Sequence, residues 1–249
     1  MTKLNVISQF LSGNPVLTLL LIAHFLADFQ WQSQKMADLK SSNWTYLIRH
    51  LIIVALPLIL LSVVIPHSFL VLSLIFLSHV LIDSGKLLLN SFYKDRSFIK
   101  TKAVFLIDQS LHIIMMIIFY QFYTKVSINW LSDFQYFLKL MLFLILITKP
   151  VNIIFKLFFS KYQVKDNIED ETITGAGATI GLLERLIMGI FLLFGQFASI
   201  GLVFTAKSIA RYDKIAKNQA FAEWIEYIRY LHYIIRVQFI HFFSKNKKI

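Results

Sequence analysis

Seven residues of this chain have the types and the spacing to hold metal or to handle protons: His24, Asp28, His50, His79, Asp83, Asp108 and His112. Six of them form pairs four residues apart: His24 with Asp28, His79 with Asp83, and Asp108 with His112. On a helix that spacing stacks two side chains on one face. All three pairs stand in long apolar stretches, most clearly in Ser78-His79-Val80-Leu81-Ile82-Asp83-Ser84-Gly85-Lys86 at the far end of the run 68–89. An Asp at membrane depth costs roughly 2.5–3.5 kcal/mol on insertion scales, so each one needs a compensating partner. Imidazole together with carboxylate is a donor set suited to Zn, Mn or Fe. A mononuclear zinc site uses three or four protein ligands, so a set of this size points to one or two divalent ions. The i, i+4 pair is the device of H-E-x-x-H, but here His is mixed with Asp and no Glu stands in a general-base position.

A lone intramembrane His is more often interhelical hydrogen-bond glue than a ligand, and one His–Asp pair is most simply a local ion pair. The metal or proton-handling reading rests on three pairs at matched depth. Lys86, three residues beyond Asp83, reads as a snorkelling cation, as an ion-pair partner of that Asp, or as a phosphate clamp. Glu184-Arg185 reads either as a structural ion pair or as a general acid/base with an anion-binding Arg. Gly175, Gly177 and Gly181 precede an apolar helix, where they allow close helix packing or expose a phosphate-binding helix start. His67, His232 and His241 read as surface residues.

The elements that must position these groups are membrane helices. The 249-residue chain is 57% hydrophobic and only 16% charged, against 45–50% and about 25% in soluble domains. Absence of Cys excludes disulfides and thiolate sites. The net charge of +11 sits mostly in short loops and the tail, as the positive-inside rule requires, and does not call for nucleic acid. The expected fold is all-α: a polytopic transmembrane bundle of about six spans with a C-terminal amphipathic helix on the membrane surface.

A polar lead, 1–14, precedes a first helix at 15–31, with Pro15 in its first turn. That run holds His24 and Asp28 and has no small-residue cleavage site, so it reads as a retained helix and not a signal peptide. Further helices are expected at 46–65, 68–89 and 103–123. A fifth run, 134–159, is expected to kink or break at Lys149-Pro150. A sixth, 175–206, carries Glu184 and Arg185. Beyond it, Phe221, Trp224, Ile225, Ile228 and Leu231 recur at helical spacing along one stripe. The expected division is 1–212 for the membrane domain with its His/Asp site and 213–249 for the amphipathic helix and basic tail.

Basic loops after helices one and three face the cytoplasm if the N-terminus lies outside. Six clean spans would then leave the basic tail outside, which a re-entrant break at Lys149-Pro150 or a seventh crossing would repair. Antiparallel connectivity brings Asp28, His50, His79, Asp83, Asp108 and His112 toward the same, basic face, and Glu184 as well if the fifth run crosses once.

Five ordered motifs carry a family resemblance: His24-Phe25-Leu26-Ala27-Asp28-Phe29 with Gln32; His79-x-x-Ile82-Asp83-x-x-Lys86; Asp108-Gln109-x-Leu111-His112; Gly177-x-x-Ile180-Gly181-x-Leu183-Glu184-Arg185; and Ala206-Lys207-Ser208-Ile209-Ala210-Arg211. Over roughly 20–212 the chain resembles the bacterial membrane proteins of domain-of-unknown-function family 3307. The resemblance implies a multi-pass protein of a bacterial cytoplasmic membrane and no particular activity. A looser likeness joins it to bacterial inner-membrane metal-dependent hydrolases with intramembrane His and Asp, and such analogy does not establish function.

The leading expectation is a metal-dependent hydrolase acting on a lipid phosphoester or ester near the cytoplasmic leaflet. His24, Asp28, His50, His79, Asp83, Asp108 and His112 would hold the metal (Zn, Mn or Fe). Glu184 would move the proton, and Lys86 and Arg185 would hold an anionic head group. Its partners would be membrane lipids and a lipid-like or phosphorylated substrate, with self-association left open and no nucleic acid. The rivals are an ion transporter or channel and a non-catalytic scaffold or sensor clamped by the His–Asp pairs.

Overall fold

A computed structural model describes residues 3–65, 67–92, 102–123, 128–159 and 176–210, together with Tyr212 and Glu223. Regular structure among the described residues is entirely helical. In order these are α1 (Lys3–Gly13), α2 (Pro15–Phe25), a wider π-helical turn (Leu26–Trp31), α3 (Gln34–Leu39), α4 (Trp44–Val64), α5 (Phe69–Phe92) and α6 (Lys102–Tyr120). There follow α7 (Asn129–Asp133), α8 (Gln135–Ile147), α9 (Lys149–Phe159), α10 (Ala176–Leu193) and α11 (Phe197–Ala210). The expected surface helix lies in 213–249, of which only Glu223 is among the described residues.

The helix boundaries have local causes. Pro15 stands in the first turn of α2, where its missing N–H would have been unsatisfied in any case. Asn43 caps α4, its side-chain oxygen accepting from the Thr45 amide at 2.8 Å. The break expected near Lys149-Pro150 occurs at Thr148, and Pro150 then occupies the first turn of α9. The Ile145 carbonyl at the break accepts from Thr148 Oγ1 at 2.7 Å and from Gln30 Nε2 at 3.3 Å. Lys149 Nζ donates to the Gln30 carbonyl at 2.8 Å. These bonds satisfy backbone groups that would be expensive to leave bare in a membrane.

Two expectations need correction. The polar lead expected at 1–14 is helical over Lys3–Gly13, as α1. The sixth run is not one helix: α10 ends at Gly195, whose φ of +68° is readily adopted only by glycine. There the Gln196 amide bonds back to the Phe191 carbonyl at 2.8 Å and the Gly195 amide to Leu192 at 3.1 Å. That is a Schellman stop, after which α11 packs against α10. Among the described residues four helices are long and apolar enough to span, Trp44–Val64, Phe69–Phe92, Lys102–Tyr120 and Gln135–Phe158, or five if Val6–Gly13 and Pro15–Trp31 are one broken span. The split sixth run supplies no single helix of that kind.

The chain divides into two compact units, Leu11–Pro150 and Met1–Phe10 with Val151–Ile249. In the first, α2 lies centrally against α4, α6 and α8, while α5 packs between α4 and α6. Leu17 and Leu20 of α2 are buried against Val54, Leu58, Ile75 and Leu142. The outer faces are equally apolar: Val63, Phe69 and Leu60 are 81%, 73% and 65% exposed. Lipid is as apolar as leucine, so hydrophobicity alone does not choose which face of such a helix turns inward. The polar side chains must choose it.

Candidate metal centre

All seven predicted ligands lie in the unit Leu11–Pro150, are buried, and gather at one level of the bundle. His24 ends α2, and the π-helical turn after it carries Asp28, which is 1% exposed. Such wide turns change the direction in which a side chain projects and recur at functional sites. His50 comes from the second turn of α4 and is fully buried. His79 and Asp83 lie mid-way along α5, and Asp108 and His112 lie in the first half of α6. Left uncompensated, three Asp at this depth would cost on the order of 8–10 kcal/mol, comparable to the whole stability of a domain.

Four donor atoms converge. His50 Nε2 lies 3.2 Å from His79 Nε2, 3.4 Å from Asp28 Oδ1 and 3.2 Å from Asp83 Oδ2. His79 Nε2 lies 3.5 Å from Asp28 Oδ1 and 3.4 Å from Asp83 Oδ2. Donors held tetrahedrally at about 2.0–2.1 Å from zinc are about 3.3–3.4 Å apart. Octahedral ligands at about 2.1 Å from magnesium would be nearer 3.0 Å apart. The spacing therefore fits a small tetrahedral cation. Two imidazole nitrogens pointing at each other can share at most one proton, so hydrogen bonding alone explains the arrangement poorly.

The unmatched atoms agree with this. Asp28 Oδ1, Asp83 Oδ1, Asp108 Oδ1 and His112 Nε2 are all buried without a hydrogen bond, whereas buried polar atoms normally have one. Three ligand-competent groups result: His24, Asp28 and His79; His50, His79 and Asp83; and Asp83, Asp108 and His112. The residues present fit a divalent ion.

Around them sit groups that orient and neutralise. The Gln109 amide nitrogen donates to Asp28 Oδ2 at 3.3 Å and to Asp108 Oδ2 at 3.4 Å, and its oxygen faces His24 Nε2 at 3.3 Å. With the amide so turned, His24 Nε2 is the donor to that oxygen. One amide thus ties three of the seven residues together, the usual service of an outer-shell partner. The ring of His79 stacks on that of His112 with centroids 4.0 Å apart. On the apolar side, His24, His79 and His112 line a cavity of about 20 Å³ with Leu20, Val54 and Ile75, room for about one water.

Lys40, just after α3, is buried in the cluster and is the residue that sequence reasoning missed. Its Nζ lies 3.0 Å from His50 Nε2, 3.5 Å from Asp83 Oδ2 and 3.9 Å from Asp28 Oδ2. Burial works against its charge, but Asp28, Asp83 and Asp108 outweigh burial and raise its pKa, so it is an ammonium at neutral pH. In the sequence it looked like any loop lysine obeying the positive-inside rule. Lys86 also finds a partner other than the one its spacing suggested: Asp108 of α6, at 3.1 Å.

Glu184 and Arg185 belong to the other unit. They are not an ion pair of neighbours, since consecutive helical residues point apart. Glu184 instead pairs with Lys207 of α11, and Arg185 Nη1 lies 3.3 Å from the vacant Cβ position of Gly181.

No curated protein and no solved structure gives a significant match to this chain. A family model does match, over 16–141, a stretch holding all seven His and Asp residues with Lys40, Lys86 and Gln109, and stopping short of Glu184 and Arg185. The chain belongs to the DUF3307 family, described as proteins of unknown function.

Proposed function

We propose that this chain is a membrane-embedded, metal-dependent hydrolase acting on a phosphoester or ester of a lipid at the cytoplasmic leaflet. The observation that carries the reading is that the His50 and His79 Nε2 atoms lie 3.2 Å apart and that each lies within 3.2–3.5 Å of both an Asp28 and an Asp83 oxygen. Bound there, a divalent ion would supply Lewis-acid polarisation and lower the pKa of water toward neutral. Asp28, His50, His79 and Asp83 would hold it, and Gln109 keeps the Asp28 and Asp108 carboxylates turned inward. Lys86, 22% exposed, is placed to meet an anionic head group while paired to Asp108. The basic loops on that side of the bundle support the cytoplasmic orientation.

A second reading is favoured by Lys40. Its ammonium lies within 4 Å of both Asp28 and Asp83, so the cluster is already partly neutralised by the chain itself and could serve as a structural clamp. Elemental analysis of the detergent-purified protein beside His79→Ala, Asp83→Ala separates the two. Near-stoichiometric metal that the double variant loses, with turnover of lipid esters in mixed vesicles, supports the hydrolase. Protein that takes up no metal after reconstitution with Zn, Mn and Fe, and is merely less stable when substituted, supports the clamp.

A further inference from the structure

We infer that Asp83 bridges two cation positions, and that the second, formed by Asp83, Asp108 and His112, makes the substrate a phosphoester. The inference rests on the metal-centre reading and narrows it. The two oxygens of Asp83 face different ligand groups. Oδ2 is 3.2 Å and 3.4 Å from His50 and His79 Nε2, whereas Oδ1 is 3.6 Å from His112 Nε2. His112 Nε2 is in turn 3.9 Å from Asp108 Oδ1. Those three atoms, Asp83 Oδ1, Asp108 Oδ1 and His112 Nε2, are all buried and all lack a hydrogen-bond partner. A site complete with one ion would leave three buried polar atoms without a hydrogen bond on residues whose ligand atoms lie within 4.8 Å of one another. Their wider separations suit a centre with few protein ligands and open positions.

Charge identifies the substrate class. With the imidazoles neutral as ligands, the carboxylates of Asp28, Asp83 and Asp108 against the ammoniums of Lys40 and Lys86 leave one negative charge. One divalent ion would turn this to a single positive charge, and two would leave three positive charges in a low-dielectric site. A phosphoryl group neutralises that excess, whereas an uncharged carboxylic ester does not. Paired ions are the usual means of stabilising both the entering and the leaving oxygen in phosphoryl transfer. The reaction balances with water alone: its oxygen bonds to phosphorus, the bond from phosphorus to the lipid oxygen breaks, and that oxygen takes up the proton water gives away.

Manganese binding to the full-length protein in detergent, measured by equilibrium dialysis with electron paramagnetic resonance, tests this. Two equivalents with an exchange-coupled spectrum are expected. Asp108→Asn, His112→Ala should retain one equivalent with an uncoupled spectrum, and His112→Gln gives the same test with less disturbance of packing. Vesicles carrying a phosphomonoester lipid or a carboxylic-ester lipid as probe should show at least about tenfold preference for the former. One equivalent in the wild type overturns the bridge and leaves the single-metal reading standing, whereas two that survive both substitutions overturn the bridge by placing the second ion away from Asp108 and His112. No bound metal at all overturns the metal centre itself.

Discussion

Two places in the unit Leu11–Pro150 bury ionisable side chains, at opposite ends of α2. Beyond its C-terminal end, the His–Asp cluster sets donor atoms 3.2–3.5 Å apart and leaves carboxylate oxygens with no donor. Before its N-terminal end, Lys139 of α8, 5% exposed, donates to Ser12 Oγ at 2.9 Å, and the Tyr120 hydroxyl donates to Asn14 Oδ1 at 3.2 Å. Each of these bonds matches a donor to an acceptor, α8 being fastened to Ser12 at the end of α1 and α6 to Asn14 just before α2. Nothing there converges on a common point. Burial of charge therefore does not by itself mark a site. Convergence of ligand atoms with carboxylate oxygens left over after every local donor is used does, because that arrangement is costly until further positive charge enters it.

The contrast can be broken most forcefully at Asp83. Asp83→Ala removes the carboxylate shared by His50, His79, His112 and Lys40. Metal content should fall from near-stoichiometric to background on elemental analysis, with stability lowered by about 3–5 kcal/mol because Lys40 loses a buried partner. Lys40→Met separates metal centre from clamp. With a metal centre, the variant should bind metal more tightly, since a like charge is gone, and only its chelator-treated form should melt much earlier, by an amount corresponding to about 3 kcal/mol. A clamp predicts the same loss of stability with or without metal.

A smaller effect is expected at Gln109. Gln109→Leu leaves every ligand in place but frees Asp28 and Asp108, so metal affinity should drop about 10–100-fold while the thermal melt moves little. Smallest of all, Lys139→Met keeps the volume and removes a buried cation whose hydrogen bond, among the described residues, is to the Ser12 hydroxyl. It should leave metal content unchanged and shift stability by less than about 1.5 kcal/mol in either direction. A loss of metal in Lys139→Met would mean that the two ends of α2 are not independent.

The gathering of the His and Asp residues was more legible than the break in the sixth run. Ligand types and i, i+4 spacing are local, and antiparallel connectivity makes depth a matter of counting along each run. Gathering at one level thus followed from order alone. The stop at Gly195 was hidden because Phe194-Gly195-Gln196 is too short to lower the average hydropathy of the run. The helix at 3–13 was read as a lead because its polar residues masked a helical stretch. Lys40 was passed over because a loop cation on a basic face has an adequate explanation already.

By itself the sequence determined that these helices must lie in an apolar medium and that their His and Asp residues had to find one another, since an isolated carboxylate at that depth is too costly. It could not determine the pairing. Which oxygen of Asp83 meets which imidazole, that Lys86 pairs with Asp108 and not with its own-helix neighbour, and that Lys40 folds inward depend on the rotation of each helix about its axis. With apolar residues on every face, that rotation is set only when the helices pack and their few polar groups bond. The tertiary structure alone decided it.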